Sequence, residues 1–171
     1  MKPLFFELER NWTGLLIEPV PDLYIDLVYK RRHAYTINAC IADNRPFVVA
    51  LTVPDDLSGL ENEMSKSQKD RLRRMSKQKR EIVYVPCFSL NTIMSAVNRT
   101  TTVDYFSLDV EGAELKILKS IDFKRLNIKA FTVEWASRNA TRPQIIRLLN
   151  ENGYLLRQED IFDLYFTKKT N

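Results

Sequence analysis

Glycine is scarce in this sequence, and none occurs at its start. The 171 residues contain four glycines, of which Gly14 is the first. A nucleotide-binding phosphate loop needs closely spaced glycines, because its backbone turns tightly and approaches the phosphates directly. Residues 1–13 therefore contain no such loop.

Cysteine and histidine are also rare. Cys40 and Cys87 are the two cysteines, and they are 47 positions apart with no zinc-ligand spacing around either. We interpret each as a small buried apolar residue, with a disulfide between them as the open alternative. The single histidine, His33, follows three basic residues in a predicted turn, which favours a solvated side chain.

Long hydrophobic runs are missing. No stretch approaches the ~20 apolar residues of a membrane-spanning helix, and the first ten residues lack the pattern of a signal peptide. The chain has no predicted transmembrane segment, and its default location is the cytoplasm. Three N-glycosylation sequons, which begin at Asn11, Asn98 and Asn139, favour the secretory pathway instead, if the full-length protein carries an N-terminal anchor.

The basic charge of the chain is local. The net charge is +4, and eight basic residues lie between Lys66 and Arg80. This run has no aromatic residue on which a base could stack, so we interpret it as part of a solvated polar insertion over residues 54–80. No nucleic-acid partner is predicted. The composition, 44% hydrophobic and 28% charged, is typical of one globular domain over residues 1–171.

Strand-length apolar runs alternate with helical patterns along the chain. This alternation predicts an α/β fold with an open, mostly parallel sheet. The predicted strands cover residues 14–18, 35–41, 46–53, 81–85, 103–108 and 129–134. Helices are predicted to begin near Pro21, Leu90, Ala113 and Thr141, and the first should turn Leu23, Leu27 and Val28 toward the sheet. Residues 154–158 and 164–167 are predicted to form an antiparallel hairpin.

Three of the predicted strands end in an acidic residue, namely Glu18, Asp109 and Glu134. The carboxyl ends of parallel strands line the ligand crevice of an α/β sheet, so the three acids are predicted to share one site. A carboxylate in the position of Glu18 typically accepts hydrogen bonds from ribose hydroxyls. The alternative is that Glu18 caps the helix that follows Pro19.

The densest polar segment is the run DVEGAE over residues 109–114. Gly112 permits a tight turn between strand and helix, and the helix dipole by itself accounts for acids at Glu111 and Glu114. Asp109 lies at the strand end and is not explained in that way. A Mg²⁺ site at Asp109 and Glu111 has no supporting spacing, so no metal is predicted.

Residues 4–169 resemble the FkbM family of S-adenosylmethionine-dependent methyltransferases, in the form found in animals. The matching segments are WTGLLIEP (12–19), INACI (37–41), VPCFSL (85–90), VDYFSLDVEGAELKIL (103–118) and IKAFTVE (128–134). The resemblance implies a class I methyltransferase (Rossmann-like) fold with S-adenosylmethionine as cofactor. The residues that it implies for cofactor binding are Glu18, Asn38, Ala39 and Cys40. Asp109 and Glu111 are implied to line the mouth of the active site and to orient or deprotonate the acceptor.

The sequence departs from the family in one respect. The family's glycine-rich first motif and the strand that carries it should precede Met1, so an N-terminally truncated fold is predicted. The strands that end at Glu18 and Asp109 are then either separated by a gap or paired directly.

Two functions remain open. One is methyl transfer, expected to an oxygen atom. The other is a non-catalytic role in secretory cargo trafficking, as in the Star-type proteins that resemble the chain in the WTGLLIEP and DVEG segments. No motif names the methyl acceptor or the oligomeric state.

Overall fold

A computed structural model describes residues 2–43, 45–53, 81–97, 102–110, 112–135 and 141–169. The predicted insertion over residues 54–80 and the predicted catalytic residue Glu111 lie outside these ranges. In chain order the elements are α1 (Lys2–Arg10), β1 (Leu15–Ile17), α2 (Pro21–Tyr29), β2 (Tyr35–Ile37), β3 (Cys40–Ala42), β4 (Phe47–Val53), β5 (Glu81–Ser89), α3 (Leu90–Val97), β6 (Thr102–Val103), β7 (Phe106–Leu108), α4 (Glu114–Ser120), β8 (Asn127–Ile128), β9 (Ala130–Glu134), α5 (Arg142–Glu151), β10 (Tyr154–Glu159) and β11 (Asp163–Lys168).

The described strands form four small sheets with mixed strand directions. Strands β1 and β2 pair in parallel, as do β3 with β5, β6 with β8, and β7 with β9. Antiparallel pairs join β4 to β5, β9 to β11, and β11 to β10. The predicted α/β class and the predicted C-terminal hairpin are confirmed. The single mostly parallel sheet is not seen, because the described strands divide into the orders β1-β2, β10-β11-β9-β7, β3-β5-β4 and β6-β8.

Strands β1 and β7 approach the same aromatic cluster without pairing. In the described part of the chain β1 pairs with β2 and β7 with β9, so direct pairing of the Glu18 and Asp109 strands is wrong. The ring of Phe6 stacks on Trp12 with 4.6 Å between centroids, and it lies 4.9 Å from the ring of Tyr105. Helix α1 therefore contacts the segments that lead into both strands.

The strand predicted over residues 35–41 is divided in two at Asn38. The side-chain amide of Asn38 donates hydrogen bonds to the carbonyls of Glu18 (2.8 Å) and Pro19 (3.0 Å). These bonds fix the backbone beside the end of β1, so the chain leaves the β1–β2 sheet there. It then enters a different sheet, in which Cys40 lies opposite Cys87.

Cys40 and Cys87 form a disulfide, with 4.4 Å between their Cα atoms. The interpretation of both cysteines as free buried thiols was therefore wrong, and the open alternative is confirmed. The bond links β3 to β5 in register, and Cys87 is fully buried. A Cα separation at the short end of the range for disulfides follows from this direct cross-strand pairing.

The main core lies between the β7–β9–β11 strands and the helices α3, α4 and α5. Its fully buried members from the strands include Leu108, Phe131, Val133, Leu164 and Phe166. Helices α4 and α5 cover these residues with Ile117, Leu118, Ile145 and Leu149. Their spacing on each helix places the apolar side chains on one face.

Helix α2 does not bury the face that the sequence predicts. Leu23 is 45% exposed and Val28 is 47% exposed, and no residue of this helix is classed as buried. The prediction that these two residues pack on the sheet is therefore wrong. A helical apolar pattern fixes which side chains share a face, but it does not determine how closely another element covers that face.

Tyr154 provides a test of the core. Its ring is 1% exposed and its hydroxyl donates to the carbonyl of Ile128 at 2.8 Å, and burial raises the pKa of the phenol. We expect Tyr154→Phe to lower the free energy of unfolding by about 1–2 kcal/mol, because the buried carbonyl loses its donor. Urea denaturation measures the change. Tyr84→Phe is the control, since Tyr84 is 74% exposed and its change should stay within about 0.5 kcal/mol. Equal losses in both variants would contradict the assignment.

Candidate functional site

Glu18 lies at the carboxyl end of β1 and contacts the start of α2. Its backbone amide donates to the Ile37 carbonyl at 3.1 Å and so continues the β1–β2 ladder. Its side-chain Oε1 accepts a hydrogen bond from the Val20 amide at 2.9 Å, directly before α2. Val20 is itself the N-cap residue of α2, and this helix has no side-chain cap hydrogen bond within the described residues, so the alternative that Glu18 caps the helix is not confirmed. The bond uses one of the two carboxylate oxygens.

Partial burial changes the acidity of Glu18. Desolvation raises the pKa of its carboxyl above the ordinary value, and the Val20 hydrogen bond offsets part of the rise. Additional hydrogen-bond donors would lower the pKa of a partly buried carboxyl group, because they stabilise its charged form.

The other predicted cofactor residues divide into different roles. Asn38 is next to Glu18, and its amide is bonded to the carbonyls of Glu18 and Pro19. Ala39 is fully buried, so its methyl group belongs to the core. Cys40 begins β3 instead of ending β2, and its sulfur is bonded to Cys87. The structure therefore brings Glu18 and Asn38 together, and it corrects the strand-end position that was predicted for Cys40.

Asp109 and Glu134 lie at the same edge of a second sheet. Leu108 pairs with Val133 in the parallel β7–β9 ladder, so the next residues, Asp109 and Glu134, are neighbours across the two strand ends. Adjacent strands are about 4.8 Å apart. The Asp109 side chain is exposed. The three predicted acids therefore divide into Glu18 on one sheet and the Asp109–Glu134 pair on another.

Glu114 is a site residue that the sequence did not identify. It is 2% exposed, and its Oε1 accepts hydrogen bonds from the amides of Val110 (3.1 Å) and Gly112 (3.0 Å). Gly112 has a φ of 115°, which is favourable for glycine alone. The turn between β7 and α4 is therefore folded around the Glu114 carboxylate. The sequence feature that indicates this role is an acidic residue two positions after a glycine, but the helix dipole by itself also accounts for an acid at this position.

Burial raises the pKa of Glu114 above the ordinary carboxyl value, and the nearby Asp109 charge adds to the rise. The amides of Gly112 and Val110 act in the opposite direction. Donors that point at a buried carboxylate reduce the free-energy cost of its charge.

An ion pair places α4 beside the end of β3. Lys116 of α4 lies 3.8 Å from Asp43, which follows β3. A cavity of about 230 Å³ next to this pair is lined by Asp43, Lys116, Lys119 and Ser120. Both partners are partly exposed, so the pair contributes little to stability. The ion pair does show that α4, which follows the Asp109 turn, lies near the end of β3, which follows Asn38.

Metal binding and membrane crossing by a helix each need features that the described residues do not provide. Among these residues, no three His, Cys, Asp or Glu side chains are grouped so that they could hold a metal ion. Among the helices in the described ranges, none has the length and apolar character to cross a bilayer.

Glu114 can be tested through the pH dependence of stability. An unfolded chain loses the Glu114 proton near the ordinary value of 4.5, whereas the folded chain keeps it to higher pH. The stabilising contribution is then complete below that value and is lost as the pH rises through the raised pKa. We expect the free energy of unfolding of the wild type, measured by urea denaturation, to fall as the pH rises through this range. Glu114→Gln should remove the part of the fall that is due to Glu114.

Two variants serve as controls for this measurement. Glu114→Ala should cost about 2–4 kcal/mol at low pH, because two buried amides lose their acceptor, and less as the pH rises through the raised pKa of Glu114 in the wild type. Glu151→Gln changes an exposed carboxylate and should retain the wild-type profile. An unchanged profile in Glu114→Gln would show that the buried carboxyl does not titrate as described.

Comparison with known proteins adds one finding. No curated protein and no solved structure matches the chain. A family model described as the methyltransferase FkbM domain matches residues 2–156, a range that includes Glu18, the Asp109 turn and β9. Because this match covers most of the sequence, the chain belongs to the FkbM methyltransferase domain family.

Proposed function

We propose that this chain is an S-adenosylmethionine-dependent methyltransferase domain that transfers a methyl group to an oxygen acceptor. The observation that carries the proposal is the Glu18 carboxylate at the end of β1, in a chain of the FkbM family. The bond from Val20 orients this carboxylate, and its second oxygen is left to accept from a ribose hydroxyl. The raised pKa of Glu18 supports the assignment, since hydroxyl donors would stabilise the charged form.

Asn38 acts in this proposal as a positioning residue. Its amide binds the carbonyls of Glu18 and Pro19 and thereby fixes the backbone from which the Glu18 side chain projects. Ala39 and Cys40 follow at the proposed adenine end. Ala39 is fully buried and the Cys40 sulfur is in a disulfide, so these two residues would shape the pocket through backbone and packing.

Asp109 and Glu111 are proposed to act on the methyl acceptor. Asp109 is exposed at the end of β7, where a carboxylate can accept the proton of an acceptor hydroxyl. The cofactor supplies a methyl group on a cationic sulfur. The protein's contribution is to align the acceptor oxygen with that methyl group and to exclude water. Glu114 binds the amides of Val110 and Gly112 and so holds the backbone that follows Asp109.

The Rossmann-like arrangement also belongs to this proposal. Among the described strands, β1 and β7 each use one hydrogen-bonding edge. In a Rossmann-like sheet a parallel strand would lie between these two edges and join the two halves of the site. It would also bring the glycine-rich turn that binds the methionine end of the cofactor in related folds.

Calorimetry with S-adenosylmethionine tests the proposal on the full-length protein. We expect Glu18→Gln to weaken binding by about tenfold to a hundredfold, because hydrogen bonds to a charged acceptor are worth about 1.5–3 kcal/mol. The glutamine oxygen can still accept from Val20, so the start of α2 should be retained. Wild-type affinity should increase as the pH rises through the raised pKa of Glu18, and Glu18→Gln should flatten this dependence.

Three comparisons sharpen the test. Asp109→Asn should leave cofactor affinity within about twofold, because Asp109 is assigned to the acceptor. Glu151→Gln, on the exposed side of α5, should have no effect. If the full-length wild type gives no binding heat, the methyltransferase proposal is wrong and the non-catalytic trafficking role becomes the better explanation.

A further inference from the structure

We propose that Asn11 is an N-glycosylation site, and that the protein folds in an oxidising secretory compartment where Cys40 and Cys87 are joined. Two independent observations support this: an accessible acceptor sequence and a cross-strand disulfide. The inference does not depend on the proposed methyl transfer.

The acceptor sequence Asn11-Trp12-Thr13 lies on an exposed turn between α1 and β1. Both Asn11 and Thr13 are exposed, and Asn11 has a φ of 52°, so the chain turns sharply as it leaves the helix. The Trp12 ring between them stacks on Phe6, with 4.6 Å between the ring centroids. The exposure of Asn11 leaves its side-chain amide open to solvent, where a bulky substituent can be accommodated.

The disulfide provides the second observation. Intracellular reductants keep most cytosolic thiols reduced, whereas disulfides persist in secretory compartments, where N-glycans are also added. Cys40 and Cys87 lie opposite each other in paired strands, so their proximity is fixed by the sheet register. The sequon and the disulfide thus indicate the same environment from unrelated parts of the chain.

The position of Asn11 is compatible with the candidate site. Asn11 precedes β1, whereas Glu18 follows it, so the strand separates the two side chains. The aromatic cluster of Phe6, Trp12 and Tyr105 also lies at the amino end of β1 and β7. A glycan at Asn11 would extend from the amino end of β1 and leave Glu18, at the carboxyl end of that strand, accessible.

The modification requires a lipid-pyrophosphate-linked oligosaccharide as donor. A bond forms between the Asn11 side-chain nitrogen and the anomeric carbon of the first sugar. The bond from that carbon to the pyrophosphate oxygen breaks, and the lipid pyrophosphate leaves. The amide nitrogen loses one proton to a base of the host transferase.

Mass spectrometry of the full-length protein from its natural source tests the proposal. Trypsin releases residues 11–30 as one peptide, in which Asn11 is the sole asparagine, so the sequons at Asn98 and Asn139 do not interfere. We expect peptide N-glycosidase in ¹⁸O-water to convert Asn11 to labelled aspartate. Without reduction, the peptides that contain Cys40 and Cys87 should be recovered as one linked species.

Variants expressed in the same cells provide a second readout. Asn11→Gln and Thr13→Ala should each remove one glycosidase-sensitive shift in electrophoretic mobility, whereas Thr13→Ser keeps the acceptor sequence and should keep the shift. An unmodified Asn11 in a disulfide-linked protein would overturn the glycosylation site. Free thiols at Cys40 and Cys87 in the isolated protein would overturn the oxidising compartment, whatever the state of Asn11.

Discussion

The burial of the Glu114 carboxylate constrains how the chain passes from β7 into α4. A buried acid must receive hydrogen bonds, and here they come from the amides of Val110 and Gly112. The turn therefore wraps around one side chain, and Asp109 is left at the exposed strand end. The same arrangement directs α4 back over the sheet, where Leu118 enters the core. Site geometry and core packing thus depend on one carboxylate.

A neutral side chain has the corresponding role in the first half of the site. The backbone carbonyls of Glu18 and Pro19 follow the end of β1, where the ladder stops, and the Asn38 amide satisfies both. Asn38 follows β2, and the two carbonyls that it binds lie 19 and 20 residues earlier, after β1. The two hydrogen bonds therefore hold the end of β2 beside the end of β1. At both strand ends a polar side chain forms hydrogen bonds with the backbone that follows the strand.

Local sequence patterns predicted where helices and strands occur, whereas contacts between distant residues determine where strands break and which residues are linked. Helix α3 spans the predicted residues Leu90–Val97, because its apolar spacing is bounded by clear strand and loop signals. The break at Asn38 depends on Glu18 and Pro19, and the disulfide joins residues 47 positions apart, so neither is visible in a short window of sequence. The strand pattern identified Glu18 and Asp109 as strand-end acids. It could not reveal that Glu114 holds the turn, since that role exists only when the backbone has folded around the side chain.

The observed contact of Glu18 with Val20 favours the contact with a ribose that is proposed for the same carboxylate. The Val20 amide binds Oε1 and so restricts the motion of the carboxylate before any ligand arrives. A ligand that covers the other carboxylate oxygen removes water and so raises the cost of its charge, unless the ligand donates hydrogen bonds in exchange. A ribose can make that exchange because its hydroxyls are donors. The observed contact with Val20 and the proposed contact with a ribose would thus use different oxygens of one carboxylate, and the first would reduce the conformational entropy that is lost when the ligand binds.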